Sequence, residues 1–354
     1  MLYTNLIEKI KAKKFTYGEL ESDIFSKYSR DEFQIIEQYL IEQYRLKMNY
    51  EPLMGYAYSA NQQFNINREI NRFGYQEQFL DESYETYGFF SGSTGWGWGV
   101  FSREKMIDYF IADYLKVNIN NYSNVGINIF KIYNLMNKFR LEDKLPKKNI
   151  IYFGINEAYD IANNRIVFSS MRDERIKNNI KNFENYYRNI PHDISYILKE
   201  LIKNMRIRVQ DIKNAFGTQF VDRLPEMPAE KVLNMEIYNK NFNIITKIIN
   251  EIHSMSSTNI FVLEPSLFDK NILTKYERKL LFKKNMTDNI LESTFHKLYD
   301  DLLNYFNQNN ILYVDARESI KNREAPLYFD YCHPYEEATQ IIGTFVAKKI
   351  KEII

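Results

Sequence analysis

Downstream of Tyr84, short apolar runs alternate with helical stretches, and no other feature of the chain restricts its fold so tightly. The runs occupy residues 86–90, 117–122, 149–153, 259–263 and 310–314, and each is rich in β-branched or aromatic side chains. Runs of that length suit strands, and each gives way to a turn and then to helical periodicity. Such alternation predicts βαβ units, because two parallel strands can be joined only by a crossover long enough to hold a helix. The expected fold class is therefore α/β, an open, mostly parallel five-stranded sheet flanked by helices, with an amphipathic helix over residues 334–354 closing the domain. Residues from about 160 to 240 interrupt the pattern with charged, helix-forming sequence around Pro191, Pro225 and Pro228. They read as a helical insertion between the third and fourth strands. Upstream, residues 5–13 and 30–48 carry helical periodicity, and residues 51–75 turn irregular around Pro52 and Gly55. The expected organisation is an N-terminal helical and loop extension over 1–80 and one domain over 81–354.

Composition narrows the function. The 354 residues carry 47 Lys and Arg against 46 Asp and Glu, a net charge of +1, which argues against nucleic acid or an anionic membrane as partner. A lone cysteine, Cys332, excludes an internal disulfide, and no Cys-x-x-Cys pair is present to build a zinc or iron–sulfur site. The four histidines and the carboxylates show no metal-ligand spacing, so neither a catalytic metal nor a cofactor is expected. The 25 Phe and 28 Tyr accompany many Asn, Ile and Lys, all residues with AT-rich codons, so the aromatic content is not a ligand-binding signature. No uninterrupted apolar run approaches the ~18 residues of a membrane span, and the first residues alternate apolar and charged side chains, which predicts a cytoplasmic protein.

Open parallel sheets bind ligands beyond the carboxyl ends of their strands, so the residues just after each run carry the chemistry. After the first run comes Ser91-Gly92-Ser93-Thr94-Gly95-Trp96-Gly97-Trp98-Gly99. It lacks the lysine of a phosphate-binding loop and the glycine spacing of a dinucleotide fingerprint. Two readings remain: a nucleophile turn that exposes the Ser93 hydroxyl between strand and helix, or a glycine-rich turn packed by Trp96 and Trp98. After the second run, Gly126 can offer a backbone N–H to an anion, or be an ordinary turn glycine. After the third, Asn156 can aim its amide into the same crevice, or cap a helix. Near the C-terminus, Asp330 stands three residues before His333, where it can reach Nδ1 and fix the tautomer of a general base. The plainer reading is a helix-start aspartate with an exposed histidine. Cys332 adjoins His333, but consecutive side chains on an extended loop point apart, so a small buried hydrophobe is expected there. His192, His253 and His296 lie in helical, charge-rich sequence and read as surface or packing residues.

The order Ser93, Gly126, Asn156 and Asp330-x-x-His333 resembles the four signature blocks of the SGNH hydrolase superfamily, the GDSL-type esterases. The resemblance spans Tyr84 to the C-terminus, interrupted by the insertion. It rests on Ser91-Gly92-Ser93 with Gly97-Trp98-Gly99, on Gly154-Ile155-Asn156-Glu157, and on Asp330 and His333-Pro334. The stretch from Asn67 to Tyr75 is similar to a segment preceding the first block in SGNH proteins of bacterial surface-polysaccharide clusters. Three departures stand out: Ser91 replaces a glycine, Glu157 replaces an aspartate, and the second block lacks its downstream glycine.

The resemblance implies a three-layer α/β/α, flavodoxin-like sheet and a Ser-His-Asp triad. In it Ser93 is nucleophile, His333 base and then acid, and Asp330 orients the imidazole. The N–H groups of Ser93 and Gly126 and the Asn156 amide form the oxyanion hole. The implied function is cleavage of a small acyl ester, with O-acetyl on a carbohydrate expected from the surface-polysaccharide members. An O-acyltransferase using the same site, and an inactive SGNH module that binds a glycan or partner, are the alternatives.

Overall fold

The computed structural model describes residues 80–168 apart from 99 and 101, 233–283, 290–354 apart from 329, and the backbone of five short strands between residues 48 and 78. The expected helix at 5–13, the expected helix at 30–48 except its last residue, Met48, which opens a strand, His192 and most of the 160–240 insertion lie outside the described residues.

In the N-terminal region β1 (Met48–Glu51) pairs antiparallel with β2 (Gly55–Tyr58), and β3 (Gln62–Phe64) pairs with β4 (Arg68–Ile70). Short hairpins thus stand where irregular chain was expected. The next strand, β5 (Gln76–Gln78), joins the main sheet. That sheet continues with β6 (Thr86–Ser91), β7 (Asn118–Asn121), β8 (Lys148–Phe153), β9 (Thr258–Leu263) and β10 (Tyr313–Asp315). Its spatial order is β10-β9-β8-β6-β7-β5. Five strands are parallel, as predicted. The sixth, β5, pairs antiparallel with β7 at the edge. Its Gln-Glu-Gln sequence has no apolar alternation, so the free edge of β7, not local propensity, recruits it.

Helices α1 (Ser93–Trp96), α2 (Ile107–Leu115), α3 (Ile129–Leu141) and α4 (Ile155–Ala162) follow β6, β7 and β8 and punctuate the first half. The second half adds α5 (Met235–His253), α6 (Lys275–Lys283), α7 (Ile290–Gln308) and α8 (Glu336–Ile353). Side chains alternate across the strands, and both faces are buried. Phe90, Ile151, Phe153, Phe261 and Leu263 pack with α3, α4, α5 and α7, whereas Tyr87, Phe89, Ile150, Tyr152, Ile260 and Val262 pack with α2 and α8. The result is three layers. Among the described residues no helix is long and apolar enough to cross a membrane.

Two strands begin later than the apolar runs that predict them. After α2, Lys116 takes φ 56° and Val117 N–H bonds back to Ala112 O; after α7, Asn310 takes φ 53° and Ile311 N–H bonds back to Phe306 O. These left-handed helix ends satisfy orphan carbonyls with residues that would otherwise open β7 and β10.

Because β7 and β8 flank β6 on opposite sides, the chain reverses direction across the sheet at β6. The turns after these three strands therefore face one crevice. The segment leading to the fourth contributor is held by a buried ion pair. Lys270 Nζ lies 2.7 Å from Glu277 Oε2, with both side chains fully buried. The lysine also donates to Ala325 O at 2.7 Å, and Glu277 Oε1 accepts Leu327 N–H at 2.8 Å. Removing one partner would leave an uncompensated buried charge. We expect Glu277→Ala to lower unfolding free energy by about 3–5 kcal/mol, read by urea denaturation, and Glu277→Gln to cost less.

Candidate active site

Ser93 is the first residue of α1, directly beyond β6. The turn is tight: Trp96 N–H bonds to Gly92 O at 3.0 Å and Trp98 N–H to Ser93 O at 3.0 Å. Gly92 has no side chain to spare, because a Cβ there would lie 2.5 Å from Asn156 Nδ2. Trp96 is buried and packs the turn from within, whereas Trp98 is only half-buried, with its ring centroid 6.0 Å from that of His333. The turn is thus packed by Trp96 from within, and Ser93, itself largely buried, lies at its start.

The Ser93 hydroxyl lies 2.7 Å from His333 Nε2, and His333 Nδ1 lies 2.7 Å from Asp330 Oδ2. Local chemistry explains how Asp330 reaches the ring. Its Oδ1 accepts both Cys332 N–H and His333 N–H at 2.8 Å, which bends the backbone and leaves Oδ2 for Nδ1. A bridge between Tyr328 and Pro334 closes the loop, and Leu267 N–H donates to Tyr331 O at 2.8 Å. Cys332 is buried, as expected, but this bend corrects the premise that its side chain points away from His333. The loop is not extended there, so Cys332 Sγ sits 3.5 Å from His333 Nδ1 while the side chain joins the apolar core. Asp330, Cys332 and His333 each place a metal-ligand type of atom within 4.8 Å of the others. Nδ1 already faces the Asp330 carboxylate, so a cation there would have to displace the proton between them, and the set suits an acid–base pair better than a metal centre.

Gly126 lies in the turn between β7 and α3, and Asn156 lies in the first turn of α4 after β8. The Asn156 amide donates to Ile127 O at 2.7 Å, which ties it to the Gly126 turn, and it retains a second N–H. Asn156 therefore sits against both the Ser93 turn and the Gly126 turn. Of the remaining histidines, His253 is exposed at the end of α5 and His296 is half-exposed on α7, where burial lowers its pKa.

Two buried glutamates join these turns. Glu157 accepts the Ile129 N–H at the start of α3 and the Gly154 N–H at 2.9 Å before α4. Glu264, just after β9, accepts the Thr94 hydroxyl at 2.5 Å and the Ile155 N–H at 3.0 Å. Glu264 follows the one parallel strand whose turn carries no recognised motif, so short-range pattern does not single it out. The available signal was an acid directly after the buried run Phe261-Val262-Leu263. Burial pushes both carboxyls up to about 7, against the N–H and O–H donors that favour their charged forms.

No protein-family model and no curated protein matches the chain. Solved structures do. A member of the lipolytic protein G-D-S-L family from Veillonella parvula DSM 2008 is 12% identical, with a TM-score of 0.42 over 76% of this chain and 98% of its own. An acetylxylan esterase from Geobacillus stearothermophilus is 11% identical, with a TM-score of 0.37 over 75% of this chain and 94% of its own. An alpha/beta hydrolase enzyme from the metagenome of Lake Arreo is 11% identical, with a TM-score of 0.39 over 77% and 96%.

Glu157 has a consequence for stability. Its folded pKa of about 7 exceeds the ordinary 4.5, so the folded chain holds a proton that the unfolded chain has released in this window. The contribution is full below pH 4.5 and is lost as pH rises through about 7. We expect the fall in melting temperature between about pH 5 and about pH 8 to be shallower in Glu157→Gln than in the native chain, whatever the variant's absolute stability. An unchanged slope would remove Glu157 as a titrating group.

Proposed function

We propose that this chain is a serine esterase of the SGNH, GDSL-like type, acting on a small acyl ester borne by a carbohydrate, with acetyl as the acyl group. The observation that carries the reading is the hydrogen-bonded line from Ser93 Oγ through His333 to Asp330, closed between residues 240 positions apart in sequence.

In this reading Ser93 Oγ attacks the acyl carbon while its proton passes to His333 Nε2. The carbonyl π pair moves onto oxygen, and the resulting oxyanion is met by the N–H groups of Ser93 and Gly126 and by the free N–H of the Asn156 amide. Asp330 stays ionised, holds Nδ1–H and stabilises the imidazolium. Collapse of the intermediate breaks the ester C–O bond, and the departing alcohol takes the proton from Nε2. Water then gives a proton to His333 and attacks the acyl-serine. The acid leaves and Ser93 recovers its proton. The half-buried face of Trp98 beside His333 supports a carbohydrate as the alcohol, since an aromatic surface at the reacting atoms suits the C–H face of a sugar ring. The near-neutral chain suits an uncharged sugar.

Turnover of aryl acetates and O-acetylated sugars by native and variant protein tests the proposal. Ser93→Ala is expected to lose turnover while circular dichroism stays native. Asn156→Ala is expected to lower kcat by ~10²–10³-fold with little change in KM. Undiminished turnover by Ser93→Ala would overturn the reading, and an effect of Asn156→Ala confined to KM would remove its oxyanion role.

A further inference from the structure

Glu264 is a fully buried acid that the mechanism above does not use, and it lies at the junction of the two turns that the mechanism needs most. On one side it takes the hydroxyl of Thr94, the residue after the nucleophile. On the other it takes the backbone N–H of Ile155, the residue before Asn156. Its own main chain is fixed as well: Glu264 N–H donates to Phe153 O at 3.1 Å, and its carbonyl accepts the Tyr299 hydroxyl at 2.8 Å. Gly154, at φ +134°, makes room for that hydroxyl, which would lie 2.2 Å from any Cβ placed there. A carboxylate so held cannot follow one turn without moving the other.

Resting on the esterase reading, we propose that Glu264 is a positioning residue that clamps the Ser93 turn to the Asn156 turn, and so fixes the nucleophile relative to the amide that meets the oxyanion. Burial holds its carboxyl up to about 7, while the Thr94 hydroxyl and the Ile155 N–H favour the charged form.

Two substitutions test the clamp. Glu264→Gln preserves it, since the amide oxygen accepts Ile155 N–H and the amide nitrogen donates to Thr94 Oγ1. Glu264→Ala removes it. With aryl acetate as substrate and the full chain as enzyme, Glu264→Ala should lower kcat on the order of 10²-fold, from misplaced reacting groups, with KM changed less than about twofold. Glu264→Gln should restore kcat to within about threefold of native. Glu264→Ala with native kcat, or Glu264→Gln no more active than Glu264→Ala, would overturn the clamp. A native protein with no Ser93-dependent turnover would overturn the esterase reading, and this inference with it. Turnover lost in Ser93→Ala but unaltered in Glu264→Ala would overturn this inference alone.

Discussion

The strands of a parallel sheet end in turns whose backbone donors no neighbouring strand can satisfy, and in this chain two buried glutamates take them up. Glu157 receives N–H groups from the turns after β7 and β8, and Glu264 joins the turn after β8 to the one after β6. Buried carboxylates are costly unless hydrogen-bonded, so each is confined to a geometry in which its donors converge. That requirement fixes the distance between three turns that are far apart in sequence. The placement of Ser93, Gly126 and Asn156 around one crevice follows from it.

The histidine arrives by a separate route. Its loop belongs to the far end of the chain, and it is pinned by the Lys270–Glu277 pair, by the bridge of Tyr328 to Pro334 and by the double N–H contact at Asp330 Oδ1. One carboxylate oxygen shapes the loop and the other faces the imidazole. The same residue therefore builds the backbone that carries His333 and orients its ring. Packing of Cys332 into the core beneath the loop adds an apolar anchor at the point where the turn is sharpest.

Much of this was legible in the sequence because it depends on local signals. Apolar runs with β-branched residues marked the parallel strands, and small or polar residues directly after them marked Ser93, Gly126 and Asn156. The spacing of Asp330 and His333 is itself local, since a single bend of three residues brings them together. What escaped depends on distant partners. Glu264 meets residues 170 and 109 positions away, so its role has no short-range pattern. The edge strand β5 exists only because β7 presents an unpaired edge. The proximity of Cys332 to His333 required knowledge of the bend at Asp330, which reverses the alternation that an extended loop would have.

The central claim is that Ser93 is a nucleophile activated by His333, and peptide mapping by mass spectrometry after treatment with a fluorophosphonate tests it most directly. The account expects a single phosphonyl adduct on the peptide that carries Ser93, and its loss when His333 is replaced by alanine. An unmodified Ser93 in the native protein, or an adduct on Cys332 in its place, would contradict it.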